Sequence, residues 1–139
     1  MRLWDYRLLE VLPDRFIVAQ WRECIAIKRQ WEKGTLKHRL VSYVMDHDKQ
    51  YFRNYVELVC NEMAKRKINY NYSYLNEIYN FCEPPKYGLQ ISPFKRYPEH
   101  NIRYLRQCYY NLQEKYDRGI VTEQEWSIIH AEFGDDTND

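Results

Sequence analysis

Met1, Arg22 and Glu23 are the residues of this 139-residue chain whose types and spacing suit covalent chemistry. An α-amine ordinarily titrates at about 7.7–8.0, so a useful fraction is an unprotonated nucleophile near neutrality. An amine with a neighbouring carboxylate is the minimum apparatus for Schiff-base chemistry. Glu23 sits in Ala19-Gln20-Trp21-Arg22-Glu23, which reads as part of the first long helix, and Met1 lies only a few residues before that helix. Most termini fray. Here Leu3 and Trp4 supply apolar anchors that favour a fixed one. Glu23 beside Arg22 also has a plainer reading as surface charge on a solvated helix.

Basic residues suited to phosphate accompany this pair. Arg15, Arg22 and Arg29 recur at intervals of seven and Lys33 continues them, which places a stripe beside the apolar face of the helix. Lining a groove, such a stripe neutralises phosphates and gives salt-sensitive binding; facing water, it only solubilises. Arg103 and Arg106, among Tyr104, Tyr109 and Tyr110, extend the same possibility to a base-stacking surface, although core packing accounts for most tyrosines. His38, His47, His100 and His130 show no metal-ligand spacing and read as structural or surface residues. The four cysteines form no CxxC pair, so neither a metal nor a cofactor is implied.

The elements that must position these groups are helical. Leu12-Pro13-Asp14 is a good helix start and Gly34 a natural stop, with Phe16, Ile17, Trp21, Cys24, Ile27 and Trp31 at near-helical spacing between them. A short helix is predicted over Lys37 to Asp46 with Leu40, Val41 and Val44 inward. A longer one runs from Asp48 to about Arg66, burying Phe52, Tyr55, Val56, Val59, Cys60 and Met63. Ser73 to Cys82 forms another short helix. Glu83 to Pro98 holds four of the five prolines and reads as an irregular surface connection. The last long helix spans Glu99 to Arg118, with Ile102, Leu105, Cys108, Tyr109 and Leu112 inward. Thr122 to Glu125 resembles a capping box for a final turn carrying Trp126 and Ile129. The expected fold is all-α: one compact domain over residues 1–133 with three principal helices, short helices and a long Pro-rich coil. An acidic, disordered tail follows over 134–139.

Composition narrows the function classes only a little. Twenty-one basic residues face 20 acidic ones, and without the three tail aspartates the formal charge of +1 becomes +4, too small to declare nucleic-acid binding. Arg2, Asp5 and Arg7 interrupt any apolar leader and no segment approaches membrane-spanning length, so the expected setting is cytoplasmic and reducing, away from membranes.

Met1-Arg2-Leu3-Trp4 and Gln20-Trp21-Arg22-Glu23, followed by His38, Tyr43, Glu57-Leu58-Val59, Glu62-Met63 and Lys65-Arg66, then His100, Tyr104-Leu105, Asn111-Leu112 and Glu114-Lys115-Tyr116, carry a family resemblance. The chain resembles the pyrimidine dimer DNA glycosylases with associated abasic-site lyase activity, of the phage endonuclease V type. The resemblance implies that the terminal amine attacks the sugar C1′ of a damaged nucleotide, with a helix-borne Glu assisting and basic residues gripping kinked duplex DNA. On this sequence the Glu is Glu23 and its neighbour Arg22, with Arg2 beside the retained Met1 amine. Phe16 and Ala26 stand where the characterised phage enzyme has a His and an Arg. Those departures bear on dimer recognition more than on amine chemistry.

Two readings follow. One is a repair glycosylase and lyase acting on duplex DNA with a damaged base or abasic site, through Met1 and Glu23 with Arg2, Arg15, Arg22, Arg29, Lys33 and Arg103 on DNA phosphates. The alternative is a non-catalytic binder on the same scaffold that sequesters a phosphate-bearing nucleotide, favoured by near-neutral charge, the acidic tail and Phe16. Neither defines an oligomeric state.

Overall fold

A computed structural model describes residues 1–82 and 94–137. Five α-helices carry the fold, and no strand occurs among the described residues. Helix α1 spans Asp14–Glu32, α2 Lys49–Lys65, α3 Tyr72–Phe81, α4 Ile102–Asp117 and α5 Glu123–Thr137; short 3-10 turns occur at Tyr6–Leu8 and Ser42–Asp46.

The ends of these helices follow local chemistry. Pro13 caps α1, and Gly34 two residues past its end takes a left-handed φ of 72°. Asp48 accepts from the Gln50 backbone N–H at the start of α2 (2.9 Å), Asn71 from Ser73 at α3 and Asn101 from Tyr104 at α4. Gly119 ends α4 at φ 78°. Lys67 ends α2 at φ 60°, which for a residue with a Cβ costs on the order of 1 kcal/mol. The Ile68 N–H returning to the Met63 carbonyl (2.8 Å) helps offset that strain.

Helix α1 packs on α2 and α3, and α4 on α5. Ile17, Cys24 and Ile27 of α1 and Phe52, Val56 and Val59 of α2 are completely buried, in one cluster with Leu105, Cys108 and Leu112 of α4 and Ile129 of α5. All four cysteines are buried free thiols. No described helix is long and apolar enough to cross a membrane.

The all-α expectation holds, with corrections in detail. Only the turn at Ser42–Asp46 forms where a helix over Lys37 to Asp46 is predicted, and Leu40 is exposed while Val41 and Val44 are buried. Ile102 is exposed because it opens α4 at its solvent side. The capping box forms reciprocally, Thr122 N–H to Glu125 at 2.9 Å and Glu125 N–H to the Thr122 hydroxyl at 3.2 Å. It starts a helix of 15 residues rather than a single turn. That helix runs through Gly134 to Thr137, into the stretch expected to be a disordered tail; the last two residues lie outside the described residues, as does 83–93 of the Pro-rich connection.

Candidate active site

Residues 1–4 form an extended strap laid along α1, and side chains from three helices hold it. The Gln20 amide of α1 accepts from the Trp4 N–H (2.8 Å) and donates to the Arg2 carbonyl (3.0 Å). The Tyr55 hydroxyl of α2 donates to the Trp4 carbonyl (2.6 Å), and the Tyr104 hydroxyl of α4 donates to the Leu3 carbonyl. Leu3 is completely buried. Fixing four residues costs about 4–8 kcal/mol of backbone entropy. Burying Leu3 returns about 2 and four hydrogen bonds about 1 each, which is comparable. The strap is pinned at four backbone groups.

Its direction is set by its contacts. The Trp4 ring stacks on Phe16 (centroids 6.1 Å apart), while Arg2 reaches Gln20 one helical turn later. Gln20 thus holds the strap at two points on either side of Leu3. Glu23, three residues after Gln20, lies on the same helix face about 4.5 Å further along the axis. One Glu23 carboxylate oxygen, Oε2, is buried and has no hydrogen-bond partner among the described residues. Buried polar atoms are rarely left in that condition. The Met1 amino nitrogen is 3.4 Å from Nε2 of His38, whose Nδ1 accepts from the Leu40 N–H (3.3 Å).

The cations separate into engaged and open groups. Arg2 is half-buried between the Trp4 and Tyr104 rings, at 6.0 and 5.8 Å, with one Nη 3.9 Å from the Cys108 sulfur. Arg22, Lys33 and Arg103 are exposed. Arg15 is spent on α5: it grips Glu125 with two nitrogens (2.5 and 2.9 Å) and donates to the Ile120 carbonyl (2.6 Å). The Arg15 hydrogen bond, with the Thr122 N–H, pulls the Glu125 carboxyl down to about 2. Arg29 pairs with Glu77 of α3 (3.1 Å) and lies over Tyr74, and Lys28 pairs with both Glu77 (3.3 Å) and Glu32 (3.0 Å). The basic stripe is thus neutralised at two of its three arginines, by acids 48 and 110 residues away in sequence.

Behind the strap lies an aromatic nest centred on His100, which is buried rather than at the surface. Its Nε2 meets the Tyr43 hydroxyl (2.6 Å), its ring stacks on Tyr104, and Tyr55 and Tyr97 pack around it. Burial holds this imidazole neutral, with its pKa lowered to about 4. Nδ1 of His100 and the Tyr97 hydroxyl are buried without partners among the described residues. A cleft of about 490 Å³, lined by Tyr6, Arg7, Glu62, Lys65, Arg96 and Phe133 among others, contains none of the nominated residues. No group of three or more His, Cys, Asp or Glu converges on a metal position among the described residues.

Sequence reasoning missed the residues that hold the strap. Gln20 and Tyr104 belong to the segments that carry the resemblance, but their partners are 16 and 101 residues distant. His38, read as structural or surface, is exposed and also touches Met1.

The structure thus combines an all-helical fold with an N-terminal strap pinned onto α1. The family model of the pyrimidine dimer DNA glycosylases matches residues 1–76, more than half of the chain, and the chain belongs to that family. The match covers the strap, α1 and α2 and ends within α3; α4 and α5 lie beyond it. No curated protein and no solved structure matches.

Proposed function

We infer that the protein is a DNA glycosylase with associated abasic-site lyase activity on pyrimidine dimers, acting through the Met1 amine. The observation that supports this reading is the pinned strap, which fixes the segment bearing the Met1 amine on α1, the helix that also carries Glu23 and its unpartnered oxygen.

The unprotonated amine attacks C1′ of the extruded nucleotide. A C–N bond forms while the glycosidic bond breaks, and its electron pair leaves with the base, which takes a proton from solvent. The nitrogen, now cationic, passes one proton to the Glu23 carboxylate. That proton returns to O4′ as the C1′–O4′ bond breaks and the nitrogen lone pair closes the imine. Loss of a C2′ proton to Glu23 then expels the 3′ phosphate, and water hydrolyses the imine to regenerate Met1. Arg2 and Arg22, flanking Met1 and Glu23 in sequence, are suited to the phosphates around the lesion, with Lys33 and Arg103 as outer contacts.

Borohydride reduction tests the reading: it should link the protein to duplex DNA containing an abasic site or a dimer. Peptide mapping should place the adduct on Met1, after intact mass has shown that Met1 is bare. No adduct from a bare terminus rejects it.

The charge pairing of Arg15 with Glu125 and Arg29 with Glu77 favours the second reading, a nucleotide-sequestering binder, because it removes phosphate-facing cations. Weak, salt-insensitive affinity for duplex DNA with a large thermal shift from one nucleotide would select it.

A further inference from the structure

His38 has no part in the chemistry above, yet its ring faces the nucleophile. The residue is fixed from below: its carbonyl accepts from the Val41 and Ser42 N–H groups (3.1 and 3.0 Å), and buried Leu36 and Val41 anchor the loop on either side. Its ring is exposed and lies between two nitrogens, the Met1 amine 3.4 Å from Nε2 and the Leu40 backbone nitrogen 3.3 Å from Nδ1.

A backbone N–H only donates, so Nδ1 is the unprotonated acceptor and the proton of the neutral imidazole sits on Nε2. That N–H points at the amine. An ammonium offers donors alone and would set donor against donor; a free amine offers a lone pair that accepts. We propose that His38 is a positioning residue whose Nε2–H, with its tautomer set by the Leu40 N–H, orients the lone pair of the Met1 amine until a substrate C1′ arrives. No proton moves to or from the ring. When the lone pair turns to C1′, water satisfies the exposed Nε2–H. The catalytic meaning of this contact rests on the Schiff-base reading above, whereas the hydrogen bond itself does not.

Nitrogen NMR of histidine-labelled protein near neutral pH tests the bond directly. The expected spectrum has His38 Nδ1 as an unprotonated nitrogen and Nε2 as a protonated one, with the Nε2 signal moving when Met1 is acetylated. A protonated Nδ1, or an Nε2 indifferent to acetylation, overturns the proposal. Single-turnover borohydride trapping on an abasic duplex tests its consequence. His38→Ala should slow trapping about tenfold with DNA affinity within about twofold, and His38→Gln, whose amide N–H still donates, should recover to within about threefold of wild type. Wild-type rates in His38→Ala, or no recovery in His38→Gln, overturn it. Absence of any wild-type adduct from a bare Met1 instead rejects the Schiff-base reading, and the NMR then decides the role of His38 alone.

Discussion

Two polar clusters bracket the N-terminal segment, and they are built on opposite plans. At residues 9–14 the Arg66 guanidinium spends all five N–H donors: on Glu62 (2.8 Å), on the Leu12 carbonyl (2.6 Å) and Asp14 (3.0 Å), and on the Leu9 and Glu10 carbonyls (3.1 Å each). In the second, among the described residues, one Glu23 carboxylate oxygen is buried without a hydrogen-bond partner and the Met1 amine lies 3.4 Å from an exposed imidazole. The first cluster ties a turn to α2 and has no capacity left for a ligand. In the proposed mechanism the second keeps acceptor and nucleophile available, the pattern expected where groups serve a reaction rather than the fold.

The contrast breaks most visibly at Glu23. Glu23→Gln should lower single-turnover trapping and strand scission by about 10²- to 10⁴-fold, with a melting temperature unchanged or raised because no hydrogen bond to its buried carboxylate oxygen is lost. A cooperative loss of stability in that variant would put Glu23 on the structural side. Arg66→Ala should do the reverse. It strands three carbonyls and leaves the buried Glu62 with only the longer Lys65 pair (3.7 Å), and urea unfolding should show a loss of about 3–4 kcal/mol, while trapping per folded molecule survives. A loss below about 1 kcal/mol would mean that water replaces the guanidinium.

Acid sharpens the same contrast behind the strap. His100 is held neutral in the fold with its pKa lowered from 6.5 to about 4, so between those values the unfolded chain binds the proton and the folded one does not. The stabilisation is complete above about pH 6.5 and is lost as pH falls toward 4, by about 2–3 kcal/mol. Denaturant titrations at pH 7, 5.5 and 4 should show that slope in the wild type and a flatter one in His100→Gln. The smallest effect belongs to the strap itself. Tyr55→Phe removes bonds to the Trp4 carbonyl and to Gln20 (3.2 Å), which should cost about 1–2 kcal/mol and slow trapping more than it weakens DNA binding. Equal losses in rate and affinity would separate strap order from catalysis.

Most of the fold was legible in the sequence. Helices α1 and α2 appear close to where Pro13, Asp14, Gly34 and Asp48 delimit them, since capping acts over a few residues. Helix α5 was not legible beyond its capping box. Its buried side is sparse, with Ile129 and Phe133 one turn apart, and a glycine and acidic residues follow. Met1 and Glu23 stand out in the sequence by type and spacing and gain a role through the resemblance, and the charges of Arg15 and Arg29 were visible while their partners were not. Glu77 and Glu125 meet them through helix packing, which leaves no local trace. The same holds for Gln20, Tyr55 and Tyr104, whose polar groups look ordinary until the strap is laid against them.

The Gln20 amide has a donor end and an acceptor end, and it engages backbone groups two positions apart. It therefore works as a ruler for the strap. Sliding the segment by a single residue would expose Leu3 and offer Gln20 the wrong groups, so the interval between the clamp and the first nitrogen is counted in the structure. Deleting Arg2 or inserting one alanine after it should cripple the protein far more than exchanging the Met1 side chain.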